Sequence, residues 1–149
     1  MTVACHLQGL ARRLRARLPL GRRTHASNTA LPAMRERPSV KPILPVADMP
    51  EAIGFYRALG FEVVAYDDGY AWVRHCGWEL FHLAASDPRA DGSDAALYLH
   101  VADADAWRAA LVASDVDVTI GAVADTPWGM REFAFADPSG NVIRIGRNL

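Results

Sequence analysis

Five histidines, 17 carboxylates and four tryptophans carry most of the chemistry open to this 149-residue chain. His75, His82, His100 and Glu79 are the residue types that bind a divalent metal. Their spacing argues against one shared site. In an extended chain, side chains alternate between faces, so Glu79, Phe81 and Leu83 are expected on one face and Leu80 and His82 on the other. His100 falls with Tyr98 on a different run, and His75 abuts a turn. His82 therefore reads as a packed or interface histidine, and no metal or other cofactor is expected. Asp67-Asp68-Gly69 has hairpin-turn chemistry rather than that of an acid/base pair. Ser86, Ser93, Ser114 and Ser139 sit in turns or linkers, none in a nucleophile elbow, and no glycine-rich phosphate loop precedes a helix. What remains is a set of aromatic residues, Tyr70, Trp72, Phe81, Tyr98 and Trp128, with Glu79 as the acid among them. Such a set attracts flat heterocycles and cations, each contact worth roughly 0.5–2 kcal/mol once dry.

The elements that must position these groups come in two copies. Val46-Ala47-Asp48 returns as Val101-Ala102-Asp103, and Phe61-Glu62-Val63 returns as Val116-Asp117-Val118 at the same offset. Each copy begins with a short apolar run and an aspartate suited to cap a helix. In the first, Pro50 suits the opening turn, Ala52, Ile53, Phe55, Tyr56 and Leu59 follow at helical spacing, and Gly60 suits a left-handed end. In the second, Trp107, Ala110 and Leu111 form the apolar stripe. Three extended runs follow each helix: 62–66, 70–75 and 78–83, then 117–120, 131–136 and 142–146, with turns at Asp67–Gly69 and Cys76-Gly77. Phe133 and Phe135 alternate with Ala134 and Ala136 ahead of Asp137-Pro138-Ser139-Gly140-Asn141, whose proline, glycine and amide-bearing residues suit a tight turn. The fold class is α+β, two tandem βαβββ units at about 41–85 and 96–147, joined by the polar linker from Ala85 to Ser93.

Charge separates the chain into two parts. Residues 1–40 hold eight arginines against one acid, Glu36, so residues 41–149 keep 8 of the 16 basic residues against 16 of the 17 acids. The body repels nucleic acid and favours cations. The arginine-rich segment reads as a disordered, dispensable extension, with Met34 as a natural start; a targeting peptide and a basic arm are the other readings. No apolar stretch approaches the roughly 20 residues of a membrane span. Cys5 and Cys76 form no pair by spacing, which suits free thiols in a reducing cytoplasm.

The run from Pro127 to Ile143, spelled PWG-x-REF-x-x-x-DP-x-GN, closely resembles the last hairpin of the vicinal-oxygen-chelate superfamily, and most of all its bleomycin-resistance branch. The resemblance extends over nearly all of 41–147. It implies an open half-barrel from each βαβββ unit and a cavity where halves face one another. Metal-using members take ligands, usually His and Glu, from the first and last strands of both units. Carried over, those places hold Lys41, Glu79, Ala96 and Arg144. Only Glu79 could coordinate a metal, since lysine and arginine offer no lone pair at neutral pH and alanine no ligand atom. The resemblance implies a protein that sequesters a bleomycin-like antibiotic between two subunits without altering it. The ligand would be held by Tyr70, Trp72, Glu79, Phe81, Tyr98, Trp128, Gly129 and Met130. Two departures stand out: Met130 lies inserted between PWG and REF, and Trp72 occupies a place where a small residue would leave more room. The alternative is a metal-dependent lyase or dioxygenase using Glu79 with His82 or His100. A homodimer is expected, because open half-barrels leave edges and apolar surface to cover.

Overall fold

Both helices start on the repeated aspartate. Asp48 and Asp103 are extended, and their Oδ1 atoms accept hydrogen bonds from the Glu51 and Ala106 amides at 2.9 and 3.0 Å. Each cap satisfies a helix-end donor and is worth about 1 kcal/mol. The first helix, α1 (Met49–Ala58), ends as its sequence suggests. Gly60 has φ +94°, and the Gly60 and Phe61 amides donate to the Arg57 and Tyr56 carbonyls at 3.0 Å each, a Schellman closure. The second, α2 (Ala104–Val112), has no such glycine, and the Ser114 hydroxyl bonds the Leu111 carbonyl instead.

The computed structural model describes residues 39–86, 95–114 and 116–149. The arginine-rich extension up to residue 38 and the linker beyond Ser86 lie outside these residues. Around the helices run β1 (Ile43–Val46), β2 (Glu62–Asp67), β3 (Tyr70–His75), β4 (Trp78–Ala85), β5 (Ala96–His100), β6 (Ala124–Asp125), β7 (Met130–Ala136) and β8 (Val142–Asn148). They form two sheets of four, ordered β1-β4-β3-β2 and β5-β8-β7-β6. In each sheet the first strand runs parallel to the last of its unit and the other pairings are antiparallel. The α+β reading and the repeat hold. Among the described residues no helix is long and apolar enough to cross a membrane.

One face of each sheet is buried with the helices. Leu44, Val46, Val63, Ala71, Val73, Phe81 and Leu83 from the first sheet join Leu97, Phe133, Phe135, Ile143 and Ile145 from the second, with Ala52, Tyr56 and Leu111 from the helices. Phe81 was expected on the cleft; it is fully buried here, edge-on to Tyr56 and Phe61 at centroid distances of 5.3 and 6.3 Å. The reason is a β-bulge. Val73 pairs with Phe81 but Arg74 pairs with Glu79, so Leu80 is an extra residue and the alternation slips. Glu79 thereby turns to the face of His82, away from Phe81 and Leu83.

The run 117–120 also departs from expectation. Its alternation survives as partial burial of Val116, Val118 and Ile120, but it joins no ladder, and the edge strand of the second sheet is the short β6 instead. An edge segment needs only one apolar side to pack, so a period of two does not by itself commit it to pairing.

The 137–141 turn does more than reverse the chain. Gly140, at φ +90°, donates to the Asp137 carbonyl at 2.9 Å. The Asp137 carboxylate accepts from the Ser139 and Asn141 amides, from Asn141 Nδ2 at 2.8 Å and from the Tyr56 hydroxyl at 2.9 Å. Asn141 Nδ2 also donates to the Pro45 carbonyl at 2.8 Å, and Ser139 Oγ accepts from the Ala47 amide at 3.0 Å. The second unit's turn is thus bonded to β1 and α1 of the first. Burial, then the charge and hydrogen bond of Asp137, push the Tyr56 hydroxyl far above its ordinary range. The folded chain keeps this proton where the unfolded chain, titrating near about pH 10, has lost it. Stability should therefore fall as pH rises above about 10, and Tyr56→Phe should flatten that slope. Denaturant midpoints of both proteins across alkaline pH check this; parallel slopes would refute it.

Candidate functional site

The faces turned away from the helices carry the polar and aromatic side chains. On the first sheet, Tyr70 and Trp72 of β3 stand beside His82 and Glu79 of β4. The Tyr70 hydroxyl lies 2.7 Å from His82 Nδ1, and His82 Nε2 lies 2.9 Å from Glu79 Oε1. Rings continue the strip: Tyr70–His82 at 5.5 Å, Trp72–His82 at 6.4 Å and Tyr66–Trp72 at 5.8 Å between centroids. Ile43, more than half exposed, pairs with His82 from β1. The hydrogen bond from His82, helped by the charges of Lys41 and Arg74, holds the Glu79 carboxyl below the usual carboxylate range.

The second sheet builds a related cluster. Glu132, almost fully buried, accepts from the Tyr98 hydroxyl at 3.0 Å and from Arg144 Nη1 at 2.5 Å. Desolvation, then the bond and charge of Glu132, raise the Tyr98 hydroxyl. Gly146 makes this possible: a Cβ there would collide with the Tyr98 hydroxyl and stand 2.7 Å from Glu132 Cβ. The ladder registers relate the two clusters. Ile43 faces His82 as Tyr98, one repeat on, faces Arg144, and Trp72 faces His82 as Ala134 faces Arg144. His82, rather than Glu79, is the counterpart of Arg144.

Trp128 lies on the β6–β7 loop and is 66 % exposed. The loop itself is clamped. Thr126 N donates to Met130 O at 2.7 Å, Met130 N to Thr126 Oγ1 at 3.0 Å, and Leu149 N to Gly129 O at 3.0 Å. Gly129, at φ +82°, allows the turn that carries the ring outward. The half-buried Met130 opens β7 and pairs with Asn148, so the residue inserted in the motif is absorbed into the ladder.

Of the residues singled out from sequence, Tyr70, Trp72 and Glu79 therefore meet on one face. Tyr98 is on the other sheet, Trp128 and Gly129 belong to the β6–β7 loop, Met130 opens β7, and Phe81 is core. Sequence reasoning missed His82 and Tyr66 on the first face and Glu132 on the second. Two hollows lie elsewhere, one of about 480 Å³ between the helices beside Phe61 and Trp107, another of about 150 Å³ beside Cys76 and Trp78; His75 borders both. His100 bonds Asn148 Oδ1 at 3.3 Å. Among the described residues no three His, Cys, Asp or Glu side chains converge as metal ligands would.

Residues 39–145 match the sequence model of the Glyoxalase/Bleomycin resistance protein/Dioxygenase superfamily. The chain belongs to this superfamily. Its fold is also that of three solved relatives. The bleomycin resistance determinant encoded on transposon Tn5 is 26% identical, with a TM-score of 0.65 over 75% of this chain and 98% of that one. The bleomycin-binding protein of bleomycin-producing Streptomyces verticillus, solved with copper(II)-bleomycin, is 27% identical, with a TM-score of 0.65 over 75% and 97%. TnmS3, an antibiotic binding protein from Streptomyces sp. CB03234, is 30% identical, with a TM-score of 0.61 over 78% and 100%. No curated protein matches the chain.

At the places that the resemblance implies for metal ligands, and at His82 where register puts it in place of Glu79, this chain's side chains are otherwise engaged. Lys41 Nζ donates to the Glu79 backbone carbonyl, Glu79 bonds His82, and Arg144 is tied to Glu132. Ala96 offers no ligand atom. Two cations at ligand positions repel a third, so these residues do not fit a metal centre.

Proposed function

We propose that this protein captures a flat, cationic small molecule of the bleomycin-like antibiotic class on its aromatic and acidic sheet face, without a metal and without altering the ligand. The observation that carries this reading is the strip Tyr66–Trp72–His82–Tyr70 beside the Glu79 carboxylate. Ring faces stack on a heterocycle, and the carboxylate meets its positive charge. Relatives at 27% and 30% identity that bind bleomycin or another antibiotic, and a bleomycin resistance determinant at 26%, support it. Tyr98, Trp128, Gly129 and Met130 belong to the same proposal as the elements that close over the ligand from a second copy. A sheet face open on one side holds a ligand weakly, and a homodimer supplies the missing wall. The free Cys76 suits a cytoplasmic setting.

The metal-dependent lyase or dioxygenase reading rests on the closeness of Glu79 and His82. Those two groups already satisfy one another at 2.9 Å. It predicts stoichiometric bound metal after dialysis.

Titrating metal-free protein with bleomycin while following tryptophan fluorescence tests the reading, with sedimentation on the same samples. Saturable quenching by a dimer is the expected result. An unchanged signal at millimolar bleomycin would overturn the ligand, and a monomer at micromolar concentration would overturn the shared cleft.

A further inference from the structure

His82 and Arg144 occupy the same register position in the two units, yet they meet their carboxylates with different groups, an imidazole and a permanently charged guanidinium. Arg144 places a permanent cation 2.5 Å from Glu132, and that pair carries no net charge. His82 meets Glu79 with an imidazole whose hydrogens are set by its neighbours. An ionised carboxylate has no proton to give, so Nε2 must donate to Glu79 Oε1. The other ring nitrogen, Nδ1, lies 2.7 Å from the Tyr70 hydroxyl. Tyr70 and Glu79 thereby fix the ring's orientation, and the imidazole, unlike a guanidinium, is not a permanent cation beside the carboxylate.

Glu79 sits at the strand edge with its side chain 35% exposed. Its Oε2 accepts no hydrogen bond among the described residues. Besides His82, the charges of Lys41 and Arg74 help to depress its pKa. Left free, the carboxylate would turn to either and lose its charge to an internal pair. His82 holds Oε1 instead, on the face that also carries Trp72.

We infer that His82 is a positioning residue that sets this face's selectivity for cations, by keeping the Glu79 carboxylate turned toward the aromatic strip and away from Lys41 and Arg74. This rests on the proposed binding reading and names the ligand more narrowly. It is a ring system lying on Trp72 and Tyr66, with a single fixed positive charge at its rim directed to Glu79 Oε2.

A matched pair of probes reads the inference directly: N-methylphenanthridinium, flat and permanently cationic, and phenanthridine, flat and neutral near pH 7. Their dissociation constants are measured for wild type, His82→Gln and His82→Arg, each checked for native circular dichroism. Wild type should prefer the cation by at least about tenfold. His82→Gln, which can still donate to Glu79 and accept from Tyr70, should keep the preference within about threefold. His82→Arg, which copies the second unit's pairing, should abolish it, so that N-methylphenanthridinium binds no more tightly than phenanthridine. A preference that survives in His82→Arg would overturn the inference and leave the binding reading standing. So would a loss shared equally by both probes. Failure of wild type to bind either probe would overturn the binding reading, and the inference with it.

Discussion

Replacing Asp137 with alanine should destabilise the fold by about 3–5 kcal/mol, the largest effect expected from a single change outside the apolar core. The carboxylate accepts four hydrogen bonds, from Tyr56, from the Ser139 amide and from both the amide and the side chain of Asn141. Tyr56 and Asn141 are fully buried, so water cannot replace the lost acceptor. A buried donor left without a partner costs roughly 1–3 kcal/mol, and two such donors are left here. Tyr56→Phe removes one donor and leaves Asp137 with its Asn141 and Ser139 bonds, so it should cost only about 1–2 kcal/mol. Denaturant unfolding of both variants beside wild type measures the difference. An Asp137→Ala loss below about 1 kcal/mol would mean the turn does not hold the two units together.

Trp128→Ala should do the opposite, sparing the fold and damaging binding. The ring is two-thirds exposed, so its removal should change stability by no more than about 0.5 kcal/mol. A core tryptophan would cost about 3–5 kcal/mol. Affinity for bleomycin should fall at least tenfold, about 1.4 kcal/mol. The clamp formed by Thr126, Met130 and Leu149 matters here, because a loop already fixed loses little freedom when it meets a ligand. A denaturation midpoint and a bleomycin titration on the one mutant separate the outcomes. Unchanged affinity would remove the loop from the site.

The sequence announced its local devices well. Asp48, Asp103, Gly60 and the 137–141 turn work through contacts within a few residues, and residue type alone signals them. The repeat was legible because both units solve the same local problem twice. The bulge at Leu80 was not, since register is settled by the partner strand, and with it went the faces of Glu79, Phe81 and His82. Asn141 and Asp137 were read as turn formers, correctly, but nothing near them in sequence hints at Tyr56 and Pro45. Gly146 gave no turn signal because its role is to clear space for Tyr98 across the strand. The candidate site was therefore read as residue types more than as an arrangement.

Capture without chemistry can be measured by equilibrium dialysis of metal-free protein against bleomycin, followed by mass spectrometry of the ligand recovered from the protein side. Saturable retention on a dimer and a recovered ligand of unchanged mass are the expected results. A ligand that passes freely through at millimolar concentration, or one that returns altered in mass, would contradict it.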